Sequence, residues 1–316
     1  MTDTNRVTLY LLEESTWGTT PSNGAWKTLR STGESLNFNI TNTQSDEIRA
    51  DRNVQDIIRT DANTSGDLNF ELAYGGEISS GVNHAFDDLL EGLLCSDWSS
   101  DILKNGTTKK SYSVEKHFAD ATNGNFQTFK GNRVDGMSLN VSAGSIVTGS
   151  FSLQGKTMAI AEASASSGTP SAATTTEIIN AVNNVGTLTE GGSSLTDSVM
   201  SISLNVTNNL RTNNEIGTLG AAAIGLGQFV VTGSMSAYFA NKTLYNKFVQ
   251  GTDSALSFRT SDAAGNYYDW SLPKIEYTSG SILAGSANAD VMAELGFQAK
   301  YDASNTCSLK ITRNSA

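Results

Sequence analysis

The chain has 316 residues and a formal net charge of −11, because 32 Asp and Glu residues outnumber 21 Lys and Arg residues. This balance excludes a protein that grips nucleic acid through clusters of basic side chains. We expect no membrane-spanning helix, since no run of 18 apolar residues occurs, and no secretion signal at the start. The two cysteines, Cys95 and Cys307, have no CxxC spacing, so we expect reduced thiols and no zinc site.

Alternating polar and apolar residues dominate the chain and predict half-buried antiparallel strands. Only 3 prolines occur against 29 glycines, a balance that leaves most backbone N–H groups free for strand pairing. The predicted strands lie, in chain order, at residues 35–40, 67–72, 137–141, 146–153, 202–206 and 229–239.

Two short amphipathic helices are predicted between these strands. The first covers residues 86–94, with apolar side chains on one face and acids on the other. The second covers residues 243–250 and stops at Gly251. Helices this short are marginal alone, so each is expected to pack on a sheet. The predicted fold class is therefore mainly β.

The two halves of the chain resemble each other in the order of their elements. Leu36 and Gly66 are 30 residues apart, and Leu204 and Gly233 are 29 apart, each pair joining a strand to a returning strand. A helix and a closing strand pair then follow in both halves. This order predicts two tandem β-rich domains, at residues 1–162 and 170–316. The small residues at 161–176 are interpreted as a flexible linker.

Catalytic motifs are missing from the sequence. His84 and His117 lie near no nucleophile motif, and no G-x-S-x-G pattern occurs. Asp87 and Asp88 are expected to face water at a helix start, where acids favour the helix dipole. The glycine-rich stretch 217–227 leads into a strand, so it is no phosphate loop. We predict a non-enzyme with no cofactor and no metal.

A long first arm, at about residues 42–65, joins the first two strands of the first half. Structureless loops of this length are usually functional or disordered, and the apolar residues here argue for burial by a neighbouring subunit. Mixed charges beside them would set register and choice of partner. The candidate assembly residues are Asp46, Glu47, Ile48, Arg49, Asp51, Arg52, Val54, Asp56, Ile57, Ile58 and Arg59. A disordered surface loop is the alternative.

A second arm, at about residues 207–228, occupies the corresponding place in the second half. It is rich in Gly and Ala rather than in charge, so it is expected to contact a different surface. Its candidate contact residues are Leu210, Arg211, Glu215, Ile216, Leu219, Ile224 and Leu226.

Several of these segments resemble the major tail tube protein of long-tailed (siphovirus-type) bacteriophages. The similar residues are 47–52 (EIRADR), Gln55-Asp56, 65–72 (SGDLNFEL), 13–21 (EESTWGTTP), 145–153 (SIVTGSFSL) and 217–227. The resemblance covers nearly the whole chain and is weakest at 95–130. It implies a β-sandwich or partial barrel flanked by a helix. It also implies closed rings that stack into a hollow tube, with inner sheets joined into one barrel and an arm reaching the adjacent ring.

The resemblance also implies partners and location. A virion protein of this kind would pass DNA down its lumen without specific binding, after a tape-measure protein has filled it. Tail terminator and baseplate or distal tail proteins would cap the ends, and assembly would take place in the host cytoplasm. The competing interpretation is a β-rich surface adhesin or carbohydrate-binding module. The four tryptophans are scattered and form no aromatic cluster, which argues against it.

The tandem domains predict the symmetry of the ring. Many family members carry one domain and form six-subunit rings, so two domains per chain favour three chains with pseudo-sixfold symmetry. Six chains, with one domain of each outside the wall, is the alternative. Because DNA must slide without being held, we also predict a net negative lumen.

Overall fold

The computed structural model describes residues 3–75, 83–182, 185–195, 199–240 and 242–315, and it is mainly β. A 3₁₀ turn at Thr4–Arg6 precedes the first strand. The elements of the first half are β1 Val7–Glu13, β2 Ala25–Leu29, β3 Gly33–Glu34, β4 Asn37–Gln44, β5 Ile57–Glu71, α1 Ala85–Leu94, β6 Ile102–Lys104, β7 Tyr112–Phe118, β8 Phe126–Ser142, β9 Thr148–Gly155, β10 Thr157–Ala161 and β11 Gly168–Ser171.

The second half repeats the use of long strands around one short helix. Its elements are β12 Val185–Glu190, β13 Ser193–Ser194, β14 Val199–Thr207, β15 Arg211–Asn214, β16 Ala221–Gly225, β17 Val230–Tyr238, α2 Thr243–Gln250, β18 Ser254–Ser261, β19 Tyr267–Ala284, β20 Val291–Ala299 and β21 Lys310–Asn314. Both helices lie where the apolar spacing predicts them.

A central antiparallel sheet joins the two halves. Among the described residues, eight strands pair side by side in the order β4–β5–β9–β8–β14–β17–β20–β19. Four of them come from each half, and the pairing of β8 with β14 is the junction between the two sets. This junction is called the in-chain seam below.

Two lateral sheets flank the central sheet and share its longest strands. The first has the order β11–β2–β1–β7–β8–β10, and the second has the order β13–β12–β18–β19–β21–β6. The amino-terminal parts of β8 and β19 lie in the lateral sheets, and their carboxyl-terminal parts lie in the central sheet. In both strands the register slips by one residue, at Asp135 and at Thr278.

The two faces of the central sheet differ in polarity. One row across seven strands is apolar, and its large members are buried: Phe70, Gly149, Leu139, Leu204, Gly233, Phe297 and Tyr277. The adjacent row is polar throughout: Asn69, Ser150, Ser138, Asn205, Thr232, Gln298 and Glu276. The sequence alternation therefore separates a core face from a wet face.

The spacing between Leu and Gly in each half has a structural cause. Leu204 lies directly opposite Gly233, and a Cβ at Gly233 would meet the Ser203 carbonyl oxygen. In the first half, a Cβ at Gly66 would meet Ser35 O and Leu36 Cα, and Gly66 has a φ of +150°. Both positions require glycine because the neighbouring backbone approaches closely.

The helices cover the core face to different depths. On α1, Leu89, Leu90, Leu93 and Leu94 are completely buried, and Cys95 ends the helix in the left-handed conformation. On α2 no residue is fully buried, and Gly251 ends the helix with a φ of 60°. One cluster of buried apolar side chains spans both halves, so the core is continuous.

The segment interpreted as a flexible linker differs from that expectation. The side chain of Ser164 donates to Glu115 Oε1 at 2.7 Å, and Ser166 is buried with its hydroxyl on Gly24 O. Residues 168–171 then pair with β2 as the parallel strand β11. Small side chains let this segment lie close to the first lateral sheet, where backbone hydrogen bonds replace apolar burial.

Candidate assembly surfaces

The central sheet has two open edges. β4 pairs only with β5, and residues 276–284 of β19 pair only with β20, within the described pairings. Apolar side chains stand at both edges, with exposed fractions of 37% for Ile40, 38% for Ile282 and 54% for Leu283. An open, partly apolar edge is a template for pairing with another strand.

The in-chain seam shows how an edge of this kind pairs with another strand. Leu139 and Leu204 lie opposite each other, and both are buried. Beyond the paired residues, Asn208 Nδ2 donates to Leu93 O and Val134 O, each at 2.9 Å. The N–H of Asn208 donates to Asp135 O at 2.6 Å. These bonds fix the register of the two halves.

The wet face of the central sheet carries carboxylates at cross-strand positions. Its carboxylates in the strand rows include Asp61, Asp67, Glu71, Glu276 and Glu294, of which Glu276 is paired with Lys300, and Arg133 opposite Gln154 is a basic residue in these rows. Neighbouring positions carry Ser, Thr, Asn and Gln, joined by bonds such as Ser138 Oγ to Ser150 Oγ at 2.9 Å. The face is therefore hydrophilic and acidic.

The first arm is an extended hairpin whose tip lies away from the core. Residues 57–59 belong to β5, so the candidates Ile57, Ile58 and Arg59 lie on a strand rather than in irregular chain. The apolar side chains are exposed, with a fraction of 97% at Ile48. All candidate residues of the first arm are exposed, and Ser45 just before them is half-exposed. The exposed candidates are Asp46, Glu47, Ile48, Arg49, Asp51, Arg52, Val54, Asp56, Ile57, Ile58 and Arg59.

One ion pair lies at the tip of the first arm. Arg49 Nε and Nη2 donate to the two carboxylate oxygens of Asp51, both at 2.9 Å. The guanidinium lowers the pKa of Asp51 to about 2. Arg52 has a φ of 64°, which turns the chain back toward β5. The apolar side chains of the tip have no cover in the single chain.

The second arm behaves differently, because it folds onto the first half. Its strands β15 and β16 form a hairpin, and Ile224 is buried with its carbonyl accepting from Arg133 Nη1 at 2.8 Å. Ile216 and Leu219 are exposed at its tip, with Glu215 and Arg211 also exposed. Leu210 and Leu226 are half-buried at its base. The structure therefore brings Ile224 into the body of the chain and leaves the tip free.

The acids at the start of α1 are buried, which makes the expectation that they face water wrong. Asp87 pairs with Arg313 at 2.8 Å and accepts from Tyr268 Oη at 2.8 Å. Asp88 pairs with Lys27 at 2.5 Å. Burial raises the pKa of Asp87, and it raises the pKa of Asp88 to about 7 against the opposing effect of Lys27. Their partners lie far away in sequence, so the local pattern could not reveal them.

The remaining candidates for chemistry are structural. His117 stacks on Phe126 at a centroid distance of 4.5 Å, and burial lowers the pKa of His84. Both cysteines are buried and unpaired. Within the described ranges, no group of three or more His, Cys, Asp or Glu side chains is arranged to hold a metal ion.

A known protein family matches this chain. The model of the phage tail tube protein family matches residues 4–299, nearly the whole chain. The chain belongs to the phage tail tube protein family. No curated protein sequence matches it.

The tail tube protein is thus a structural component of a phage virion, as the resemblance of its motifs implied. The adhesin interpretation has no support in this match. No helix in the described residues of the tail tube protein has the length and apolar character needed to cross a bilayer. The sequence patterns did not predict the in-chain seam. The repeated strand order in the two halves was its only signal in the sequence.

Proposed function

We propose that this tail tube protein assembles into closed rings of three chains, and that the rings stack into a hollow tube through which DNA passes during ejection. The observation that carries the proposal is the in-chain seam, where sheets from the two halves already form one continuous sheet. A ring repeats this junction between chains as well as within them.

Closure of the ring removes both open edges. Each chain offers β4 at one side of its central sheet and the end of β19 at the other. If each edge pairs with a neighbouring chain, no edge remains unpaired, which protects the sheet from aggregation. Three chains of eight strands each make a barrel of 24 strands. Barrels of about 16–18 strands already enclose an aqueous channel.

The continuous central sheet favours three chains over six. The six-chain alternative places one half of each chain in the wall and the other outside. That arrangement requires the halves to separate at the in-chain seam, where Leu139 and Leu204 are buried and Asn208 bonds to the first half. Separation would expose Leu139 and Leu204 to water and would lose the bonds of Asn208, each worth about 0.5–1.5 kcal/mol when exchanged for bonds to water.

The wet face of the central sheet supplies a suitable lumen wall. It is lined by Ser, Thr, Asn and Gln, with Asp67, Glu71 and Glu294 as acids. Phosphates near like charges are repelled, so DNA slides past such a wall instead of binding to it. We infer a net negative lumen that holds a tape-measure protein before ejection.

The arms supply the contacts between rings. The exposed Ile48, Val54, Ile57 and Ile58 of the first arm are available to be buried by the adjacent ring, and the exposed tip of the second arm offers Ile216 and Leu219. Terminator and baseplate or distal tail proteins would take up the arms and arm-binding surfaces left free at the tube ends. Assembly would take place in the host cytoplasm.

Electron microscopy of the purified full chain tests the proposal. We expect tubes, and a helical reconstruction with three chains per ring, pseudo-sixfold domains and an acidic inner wall. Six full chains in one ring would overturn the three-chain ring. A wall lined mainly by Lys and Arg would overturn the lumen assignment, and a monodisperse monomer under all assembly conditions would overturn self-assembly.

A further inference from the structure

We infer that the junction between neighbouring chains copies the in-chain seam residue by residue, with β4 of one chain paired to the end of β19 of a second copy so that Asn37 lies opposite Ser281. This inference rests on the proposed ring and adds the register of its closing contact. The partner is the same chain, and the template is present within it.

The two halves can be superposed strand by strand through their pairing. The pair Gly66–Leu153 of β5 and β9 corresponds to Gly233–Phe297 of β17 and β20. In the next strand, Leu153 faces Val134 and Phe297 faces Tyr277. The register slip follows at once in both, at Asp135 and Thr278. β8 therefore corresponds to β19, with Ser138 equivalent to Ser281.

The first strands of the two halves correspond in the same way. Asn37 faces Ser65 on β5, and Asn205 faces Thr232 on β17, one residue before the equivalent glycines. Asn37 is therefore equivalent to Asn205. Because Asn205 faces Ser138 at the in-chain seam, Asn37 is placed opposite Ser281 of the neighbouring chain.

The side chains at the copied seam complement one another. The in-chain pair Val206–Met137 becomes Phe38 opposite Gly280. A Cβ at Gly280 would lie 2.7 Å from Phe248 Cδ1, so the Phe248 ring covers this position, which is restricted to glycine. An aromatic ring across from a strand glycine covers the exposed backbone.

A second contact replaces hydrogen bonds with apolar burial. Asn208, which bonds to Leu93 O at the carboxyl end of α1, is equivalent to Ile40. Counted from the left-handed residues that end the helices, Cys95 and Gly251, Leu93 is equivalent to Val249 on α2. Ile40 is 37% exposed and Val249 is 64% exposed in the single chain. The copied seam brings these two exposed apolar side chains together.

Glu34 and Lys116 occupy the backbone groups of Leu36 at the same edge in the single chain. Leu36 N–H donates to Glu34 Oε2 at 2.8 Å, and Lys116 Nζ donates to Leu36 O at 2.8 Å. Ser35 N–H bonds to Asp67 O on β5, so the backbone groups of Leu36 point to the open edge. Charged groups that cap an edge prevent premature pairing. Pairing therefore starts at Phe38 and extends to Leu36 when Glu34 and Lys116 release it.

Cysteine cross-linking in assembled tubes tests the register. The alternation of backbone bonds makes Asn37–Ser281 a pair without hydrogen bonds to each other, where facing side chains are closest. We expect N37C with S281C to form disulfides between chains, with a yield close to that of the in-chain template pair N205C with S138C. The native cysteines are buried and do not compete.

Shifted pairs are the matched controls. N37C with S279C, and N37C with L283C, report registers displaced by two residues, and diagonal positions about 7–8 Å apart are too far for a disulfide. A higher yield in either control than in N37C with S281C would overturn the inferred register while the tube remained. Absence of tubes in the wild-type chain would instead overturn the proposed function.

The apolar contact gives a second measurement that needs no disulfide. We expect I40D to block ring formation while the urea unfolding midpoint of the single chain stays at the wild-type value, because the residue is exposed. I160D is the matched control, since Ile160 is 63% exposed on β10 of a lateral sheet. Normal rings from I40D would contradict the copied seam.

Discussion

Arg313 on β21 and Asp87 on α1 form an ion pair across the two halves of the chain, with 2.8 Å between Nη1 and Oδ2. The Arg313 guanidinium also lies 4.3 Å from the ring centroid of Trp98 and contacts Asp101. The carboxylate of Asp87 accepts from Tyr268 Oη. One buried cluster therefore ties the last strand to the first helix.

The first prediction concerns this pair. R313M should lower the free energy of unfolding by about 3–5 kcal/mol, because it leaves a buried carboxylate without its counter-charge. K274M is the control, since the Lys274–Asp253 pair is partly exposed and should contribute no more than about 1 kcal/mol. Urea unfolding of both variants measures the difference, and equal losses would argue against a buried cluster.

The second prediction concerns the pH dependence of stability. Burial raises the pKa of Asp88 from its ordinary 3.8 to about 7, with Lys27, Glu91 and Glu13 as its charged neighbours. Between those values the folded chain keeps a proton that the unfolded chain releases, so this group's contribution to stability falls as pH rises.

D88N should therefore gain stability relative to wild type between pH 5 and pH 8, as measured by urea unfolding at both values. D67N removes an exposed carboxylate and separates the effect of burial from the loss of one charge. A D88N difference that is the same at both pH values would contradict the raised pKa.

The third prediction concerns Gly66 and Gly233, the equivalent glycines of the two halves. G66A and G233A should each lower the free energy of unfolding by about 1–3 kcal/mol, because the new methyl group meets the backbone of the adjacent strand. G186A, where the nearest atom lies 3.8 Å from the added Cβ, is the control. Thermal or urea unfolding would show whether the two repeat positions respond alike while Gly186 does not.

The fourth prediction concerns the first arm. Replacing residues 46–55 with Asn-Gly keeps the hairpin strands and should leave the unfolding midpoint unchanged, since the tip has no part in the core. Tube formation should be lost, as seen by electron microscopy. The double substitution I48S with V54S tests the apolar contacts alone. Normal tubes from the tip replacement, or failure to fold, would rule out an assembly role.

Strand alternation carried most of the information that the sequence held about the fold. The runs 67–72 and 146–153 became β5 and β9, since a wet face and a core face impose a period of two. Contacts between distant segments left no such signal. β6 joins β21 from the other half, and Asp87 is buried because Arg313 reaches it from the far end of the chain.

The proposed assembly surfaces were predictable only in part. Charge and apolar content distinguished the first arm, whose tip is exposed as an assembly element requires. The second arm is similarly long, yet it folds onto the first half, where the Ile224 carbonyl accepts a hydrogen bond from Arg133. Which loop folds back depends on a carbonyl and a guanidinium that meet only in three dimensions.

The in-chain seam has a consequence for how rings stack. Any ring closed through these edges contains the two halves in strict alternation, so a charged arm and a Gly/Ala-rich arm also alternate around the circumference. If one ring is rotated relative to the next by one half of a chain, each arm-binding surface faces the other type of arm. Only rotations by a whole chain are equivalent, and the angular offset from ring to ring is restricted to half as many choices as a ring of identical single domains allows.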